Sequence, residues 1–324
     1  MCDRKCVFIA IAALVAALSL AAAEPAAAAI NVFSGSSPVF APVFIADTQG
    51  FFTQEGLEVT VRPFTSGAEA TEGFRAGAAQ FLAACDVPAL YLLAGGDAVL
   101  LAQFSANPDM LLVVAEKGVK GPADLKGKRV GLVRKSASEY LLNNYLKRAG
   151  LTLEDVKLVH LAPFDQVPAL VRGDVDALST WKPFDRKIFE LGGDKFRTLT
   201  WSGKEDYILY CGIVAKREYL DQNPDQATRV LRALHKASGW LAANEMKIVS
   251  GVLGTYLKTS ADDVAYVIKN NGWKMVDDAQ FRRMLESIER FLLAQRLIKS
   301  KINWSQVKDA SFLRKVDPAL VQSG

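Results

Sequence analysis

The chain has 324 residues, half of them apolar, with a formal net charge of +4, two histidines and four cysteines. A chain of this length and apolar content can bury two hydrophobic cores, which predicts two domains. Its weak positive charge is not gathered into a basic stripe, so nucleic acid is not an expected partner. Cysteine and histidine are not clustered, so we expect neither a metal site nor a cofactor.

The first residues have the composition of a secretory signal peptide. Arg4 and Lys5 precede an uncharged run over residues 7–23, which continues into alanine-rich sequence. The run is shorter and poorer in leucine than the roughly 20-residue helix that spans a bilayer. Cleavage is therefore favoured over membrane anchoring. We expect residues 1–29 to be removed and the mature protein to be periplasmic.

From residue 30 onward, short apolar segments alternate with helical ones. Strands are predicted at 31–34, 58–64, 80–84, 98–103 and 111–115. Helices are predicted at 42–47 and 67–77, and another begins near Asp86, with Pro88 at an early helical position. This alternation predicts mostly parallel sheets with helices on both faces.

A second set of the same kind begins at Arg129. Its strands are predicted at 129–133, 157–161, 176–180 and 197–201, and its helices at 136–150, 163–172 and 183–191. The apolar run 208–215 is interpreted as the return of the chain to the first lobe. The remaining sequence is helical, at 225–244, 247–257, 261–270 and 278–293. We therefore predict an α/β chain with lobe I at 30–113 plus 214–324 and an inserted lobe II at 114–213.

One strand–helix joint, ADLKGKRVGLVRKSASEYLLNNYLKRAG at 123–150, is a candidate binding element. Ser136 is the predicted N-cap, Glu139 completes a capping box and Gly150 ends the helix. Free N–H groups and the helix dipole at such a start can hold a small anion. Arg134 and Lys135 stand directly before it. The alternative is an ordinary joint with solvated charges.

The same segment resembles the start of the second lobe in substrate-binding proteins of ABC transporters. The resemblance is to the nitrate, sulfonate and taurine branch, which also contains binders of thiamine-pyrimidine precursors. Three further stretches share it: AxxxGFFxxEGLEV at 46–59, ALVRGDVDA at 169–177 and TWKPF at 180–184. The resemblance implies a type II periplasmic binding fold, in which two α/β lobes are joined by a two-stranded hinge.

Ligands of open α/β sheets lie outside the carboxyl ends of the strands. The loops at these ends, taken with the resemblance, give a set of candidate ligand-binding residues. These are Ser36, Pro38, Phe40, Gly67, Asp86, Arg134, Ser136, Ala137, Ser138, Trp181 and Phe184.

Trp181 and Asp86 each have two interpretations. Trp181 either caps the sheet core or forms a broad wall with one N–H donor against a compact ligand. Asp86 either caps its helix or pairs with an amino or amidinium group. With an anion at Ser136, a ligand-facing Asp86 favours a taurine-like sulfonate, since nitrate lacks a cationic or hydrogen-bonding tail.

Cys85 and Cys211 are the two cysteines that remain after the predicted cleavage. They could form one disulfide in an oxidising compartment. Base rates favour two small buried thiols instead, and we expect them to be unpaired.

The leading hypothesis is a monomeric binding protein without enzymatic activity. It would capture a small anionic or zwitterionic organic solute between its lobes and dock on the membrane subunits of an ABC permease. One alternative is an enzyme of the same fold, similar to thiamine-pyrimidine synthases, although the cysteine cluster of those enzymes is missing here. Another is a ligand-loaded partner of a membrane receptor.

Overall fold

The computed structural model describes residues 29–322, so all but the last residue of the predicted signal peptide lies outside the described part. The strands, in chain order, are β1 (Ile30–Gly35), β2 (Val59–Phe64), β3 (Phe81–Cys85), β4 (Ala98–Asn107), β5 (Leu111–Glu116), β6 (Arg129–Leu132), β7 (Lys157–His160), β8 (Ala177–Trp181), β9 (Phe196–Trp201) and β10 (Leu209–Lys216). They form two five-stranded sheets, ordered β2-β1-β3-β10-β4 in lobe I and β7-β6-β8-β5-β9 in lobe II. The expected two-lobe α/β architecture is therefore present.

Helices flank both sheets close to their predicted positions. In chain order they are α1 (Ala41–Thr48), α2 (Phe51–Gln54), α3 (Gly67–Arg75), α4 (Asp86–Leu93), α5 (Ala137–Lys147), α6 (Pro163–Arg172), α7 (Phe184–Gly192), α8 (Arg217–Gln222), α9 (Pro224–Ala243), α10 (Met246–Leu257), α11 (Ala261–Ile268), α12 (Ala279–Ala294), α13 (Trp304–Val307) and α14 (Ser311–Val316). Helices α5 to α7 belong to lobe II. Among residues 29–322, no helix has both the length and the apolarity needed to span a bilayer.

The sheets are mixed, which differs from the mostly parallel pairing expected. Strand β1 pairs in parallel with β2 and β3, and β6 with β7 and β8. Strand β10 is antiparallel to β3 and β4, and β5 is antiparallel to β8 and β9. The antiparallel pairs arise where a strand arrives from the other lobe and so enters its sheet in the opposite direction.

The two crossings lie earlier in the chain than the boundaries placed at 113/114 and 213/214. Residues 108–110 join β4 to β5, and residues 202–208 join β9 to β10. The crossings are bonded to each other, since the Ser202 hydroxyl donates to the Pro108 carbonyl oxygen at 2.9 Å. Gly203 permits this approach, because a Cβ atom there would lie 2.7 Å from the same oxygen.

Apolar packing does not divide cleanly into one core for each lobe. The larger cluster runs from lobe I into the inner face of the lobe II sheet, and a smaller one covers the opposite face of that sheet around Val114 and Ile188. Tyr140 of α5 makes the connection, with its ring 4.8 Å from Tyr207 and 5.2 Å from Phe291, centroid to centroid.

Cys85 and Cys211 form a disulfide, so the expectation of unpaired thiols was wrong. The two residues are direct partners in the antiparallel ladder of β3 and β10. The expectation relied on how often cysteine is buried as a free thiol in proteins. That frequency contains no information on the strand register that places these two residues opposite each other. The bond closes a loop that contains the whole of lobe II, with 126 positions separating the two cysteines.

Candidate ligand-binding site

A cavity of about 100 Å³, here called the inner cavity, is lined by both lobes at the carboxyl ends of parallel strands. Lobe I contributes residues from the loops 35–40, 65–68 and 85–88, which follow β1, β2 and β3. Lobe II contributes residues from 133–138, after β6, and Trp181 at the end of β8. This is the position at which open α/β sheets hold ligands.

Two helix starts from opposite lobes meet at this cavity. Ser66 caps α3, and its Oγ accepts from the Glu69 N–H at 3.2 Å. The N–H groups of Gly67 and Ala68, and that of Ala137 in α5, have no hydrogen-bond partner within residues 29–322. The three residues line the cavity, and both helix dipoles favour negative charge there.

The Ser136 cap differs in detail from a capping box. Its Oγ donates to the Val133 carbonyl oxygen at 2.7 Å and accepts from the Ser138 N–H at 3.3 Å. The Oγ atoms of Ser136 and Ser138 lie 2.8 Å apart. The Glu139 N–H is bonded to the Ser136 carbonyl oxygen. Among the N–H groups of residues 137–139 at this helix start, only that of Ala137 is therefore available to a ligand.

Arg134 does not line the inner cavity, in contrast to the prediction. Its guanidinium lies 3.2 Å from Oε1 of the buried Glu139, and the other carboxylate oxygen of Glu139 accepts from the Lys135 N–H at 2.6 Å. Lys135 adopts the left-handed conformation, with φ of 57°, in this turn. The arginine charge is thus balanced by a neighbouring carboxylate rather than directed toward a ligand.

Asp86, predicted as a ligand partner, is buried and does not line the inner cavity. Its carboxylate accepts from the Tyr207 hydroxyl at 2.8 Å, the Tyr210 N–H at 3.2 Å and its neighbour Val87 N–H at 2.7 Å. Cys85 rather than Asp86 is the N-cap residue of α4. Burial raises the pKa of Asp86 to about 7, although these hydrogen bonds act to lower it.

The remaining candidates divide between the inner cavity and a neighbouring space. Those lining the inner cavity are Ser36, Phe40, Gly67, Ser136, Ala137, Ser138 and Trp181. Pro38 and Phe184 line a second cavity of about 270 Å³, here called the outer chamber. The two spaces share Ser36, Ser37, Thr65 and Trp181 in their linings.

No charged side chain lines the inner cavity. Its polar groups are hydroxyls and backbone N–H groups, and the Ser37 Oγ is buried without a partner within the described chain. Donors of this kind can bind an anion without a salt bridge, as helix starts do for phosphate and sulfate.

A larger space than the inner cavity is a charged groove of about 1060 Å³ between α7 and α11. Several of its charges are paired with one another: Arg186 lies 2.7 Å from Asp263, and Lys182 lies 2.8 Å from Asp109. The Tyr266 hydroxyl also donates to the Asp185 carboxylate. We interpret the contacts of Arg186 and Asp185 as bridges between the lobes, because they join α7 of lobe II to α11 of lobe I.

Sequence reasoning missed the cavity residues at the ends of the crossings, namely Met110 and the first residues of β5 and β10, Leu111 and Leu209. These are ordinary apolar residues, and only the correct position of the crossings could have identified them. Within residues 29–322, no group of three or more His, Cys, Asp or Glu side chains could hold a metal ion.

Residues 37–247 match the protein family described as NMT1/THI5 like. A Brucella abortus protein, provisionally named a binding protein, is 28% identical over 70% of this chain and 70% of its own. A Bacillus subtilis protein, provisionally named an aliphatic sulfonates-binding protein, is 24% identical over 87% of this chain and 86% of its own. The taurine-binding periplasmic protein of Escherichia coli is 30% identical over 52% of this chain and 53% of its own.

Solved structures of binding proteins and of an enzyme share the fold. The alkanesulfonate-binding protein SsuA of Xanthomonas axonopodis pv. citri, bound to MOPS, has a TM-score of 0.74 at 20% identity, over 89% of this chain and 99% of that one. The nitrate-binding protein NrtA of Synechocystis has a TM-score of 0.72 at 15% identity, over 91% and 90%. The desulfurization enzyme DszB has a TM-score of 0.67 at 17% identity, over 90% and 99%. The chain therefore belongs to the NMT1/THI5-like family and has the type II periplasmic binding fold.

Proposed function

We propose that this protein is the periplasmic solute-binding component of an ABC importer and that it captures a small organic anion in the inner cavity. The observation that carries the proposal is the meeting of two helix starts from opposite lobes at an uncharged cavity. The unpartnered N–H groups of Gly67, Ala68 and Ala137 supply donors from both sides. A ligand that accepts from both lobes would favour their closure.

The strength of such a site comes from several modest contributions. A helix start stabilises a nearby anion by about 0.3–1 kcal/mol, and more where the site is partly buried. Each neutral hydrogen bond adds about 0.5–1.5 kcal/mol. Two helix starts and three N–H donors together contribute about 2–6.5 kcal/mol. Micromolar affinity needs about 8 kcal/mol, so burial of the apolar part of the ligand has to supply the rest.

A sulfonate is the head group we favour, because its three oxygens can accept from both helix starts at once. The names of the sulfonate- and taurine-binding relatives support this choice. The ammonium group of taurine would find no carboxylate in the lining of the inner cavity, since Asp86 is enclosed by Tyr207 and Tyr210. We therefore place uncharged-tail sulfonates ahead of zwitterionic ones.

The first experiment is mass spectrometry of any small molecule released by mild denaturation of the purified protein. Calorimetric titrations with ethanesulfonate, taurine and nitrate then test the head group and the tail separately. We expect ethanesulfonate to bind more tightly than taurine, and nitrate to bind weakest. Failure of all organic anions to bind would contradict the proposed function, and preference for taurine would contradict only the tail assignment.

Transport rather than catalysis is supported by the relatives, which are named as binding proteins. The enzyme DszB shares only the fold at its level of identity. Both cysteines of the described chain are held in the disulfide, so residues 29–322 offer no free thiol as a nucleophile.

Fractionation of cells should place the mature protein in the periplasm as a monomer. Loss of uptake on deletion of the gene would support the importer assignment, whereas intact uptake with loss of a signalling response would favour a receptor partner.

A further inference from the structure

We propose that the outer chamber binds an aromatic tail of the ligand, so that the preferred solute is an aryl sulfonate. The inference rests on the proposed function, because it assumes that the anionic head occupies the inner cavity. It adds a second subsite with its own chemistry, and it selects among organic anions that share the same head group.

The outer chamber adjoins the inner cavity. Four residues line both spaces, namely Ser36, Ser37, Thr65 and Trp181. A molecule whose head is held at the helix starts can therefore extend past Trp181 without leaving the protein. Like the inner cavity, the chamber is built by both lobes: Pro38 and Leu257 lie on one side and Phe184 on the other.

An aromatic row runs along the lobe II side of this path. The ring of Trp181 lies 5.8 Å from that of Phe184, and Phe184 lies 6.1 Å from Phe164, centroid to centroid, at interplanar angles of 66° and 80°. Tilted and edge-on arrangements at these separations are favourable for aromatic pairs. A ligand ring placed in the chamber would extend the row.

Phe164 at the outer end of the row is 69% exposed, the highest value among the large apolar side chains that remain exposed. Phe164 is the second residue of α6 and follows Pro163, which is buried. An exposed aromatic ring contributes little to the folded core, but it gains when a ligand removes its surface from water. Its position at the chamber is therefore better explained by a ligand than by stability.

The chamber has room for a substituted ring. Its volume is about 270 Å³, whereas an engineered apolar cavity of about 150 Å³ in another protein takes up benzene. The inner cavity, at about 100 Å³, would hold the sulfonate and the atoms next to it. Head and ring then occupy separate spaces on either side of Trp181.

The test compares 4-toluenesulfonate with ethanesulfonate by calorimetry on the purified protein and on Phe164→Ala. We expect toluenesulfonate to bind the parent at least tenfold more tightly than ethanesulfonate. Phe164→Ala should weaken toluenesulfonate threefold to tenfold and leave ethanesulfonate within twofold. Leu191→Ala is the matched control, because Leu191 is also exposed, at 56%, and lies outside both cavities.

The outcomes separate the two proposals. Equal affinities of the parent for both sulfonates, or an unchanged toluenesulfonate affinity in Phe164→Ala, would overturn the aromatic subsite while the proposed function stands. If neither sulfonate binds, the proposed function and this inference fall together. Phe164→Trp should restore tight binding of toluenesulfonate, which a merely structural role of the residue would not require.

Discussion

Gly67 is the residue at which the electrostatics of the inner cavity can be changed with least damage to the fold. A Cβ atom added there meets no heavy atom within 4 Å. An acidic side chain in the first turn of α3 is also stabilised by the helix dipole. We predict that Gly67→Asp retains the melting temperature but weakens ethanesulfonate binding at least hundredfold. Two like charges about 4 Å apart repel by roughly 4 kcal/mol at an effective dielectric constant near 20.

Gly67→Asn is the matched control, because it adds a side chain of nearly the same size without the charge. Calorimetric titration of both variants separates blocking of the cavity from repulsion. An aspartate variant that binds as well as the asparagine variant would show that the anion lies elsewhere.

Asp86 makes a second residue-level prediction, for stability against pH. Because its pKa rises from 3.8 to about 7 on folding, the native state binds more protons than the unfolded state between these values. Its contribution to the free energy of unfolding therefore falls as pH rises from 4 to 7, by up to about 4 kcal/mol. Denaturant unfolding of the parent and of Asp86→Asn at pH 4, 5.5 and 7 measures the difference in slope.

The slope is the informative quantity, because the asparagine amide cannot accept from both Tyr210 and Val87 as the carboxylate does. Asp86→Asn should thus be less stable than the parent at pH 4 but should lose less stability than the parent between pH 4 and 7. Parallel curves for the two proteins would show that Asp86 titrates normally.

The predicted site residues that line the inner cavity and those that do not differ in a physical respect. Ser136, Ala137 and Ser138 could be placed because a cap and a helix start are local features of sequence. The environment of Asp86 could not, since its Tyr207 partner lies 121 positions away in the chain. The location of Arg134 could not be predicted for a related reason: the sequence shows its charge but not the buried carboxylate that balances it.

The same contrast holds for helices and strands. Periodicity and caps placed ten of the fourteen described helices within two or three residues, because both signals are local. The short helices α2, α8, α13 and α14 were not predicted. The apolar run 208–215 was interpreted as the return to lobe I, where β10 lies, but it contained no sign of the strands with which it pairs. Val114 and Ile213, which the predicted boundaries placed beside the crossings, instead lie inside β5 and β10. Pairing between distant strands therefore required the structure.

The pairing of β3 with β10 gives the element-level prediction. The disulfide between them closes a loop around lobe II, and cross-links of such long loops stabilise by roughly 3–5 kcal/mol, mainly by restricting the unfolded chain. We expect the double variant Cys85→Ala/Cys211→Ala to unfold at lower denaturant concentration by this free energy. Each single variant should lose a similar amount, because either one breaks the bond.

Reduction of the parent with dithiothreitol is the control, since it breaks the bond without deleting any side-chain atom next to the inner cavity. A parent that melts identically with and without reductant would contradict the prediction. A double variant less stable than the reduced parent would measure the packing contribution of the two sulfur atoms.

At the scale of the whole molecule, the lobes are held together from two sides. Tyr140 of α5 reaches lobe I, where its hydroxyl lies 2.9 Å from the Ser287 Oγ in α12. Arg186 and Asp185 of α7 contact Asp263 and Tyr266 of α11. The contacts between α7 and α11 can be removed without changing the inner cavity, whose lining contains none of these four residues. Their removal therefore tests how far the contact between the lobes contributes to ligand affinity.

We predict that Arg186→Ala combined with Tyr266→Phe weakens ligand binding threefold to tenfold, although neither residue touches the inner cavity. The exposed ion pair contributes at most about 1 kcal/mol, and the hydrogen bond to the Asp185 carboxylate about 1.5–3 kcal/mol. Losing them lowers the closed fraction of the free protein, and the apparent affinity falls in proportion. Small-angle scattering should show a larger radius of gyration without ligand and a return to the parental value at saturation.

Arg172→Ala is the control, since its partner Asp174, 2.7 Å away, lies in the same lobe. Equal affinities of the control and the double variant would show that these bridges do not set the balance between open and closed lobes.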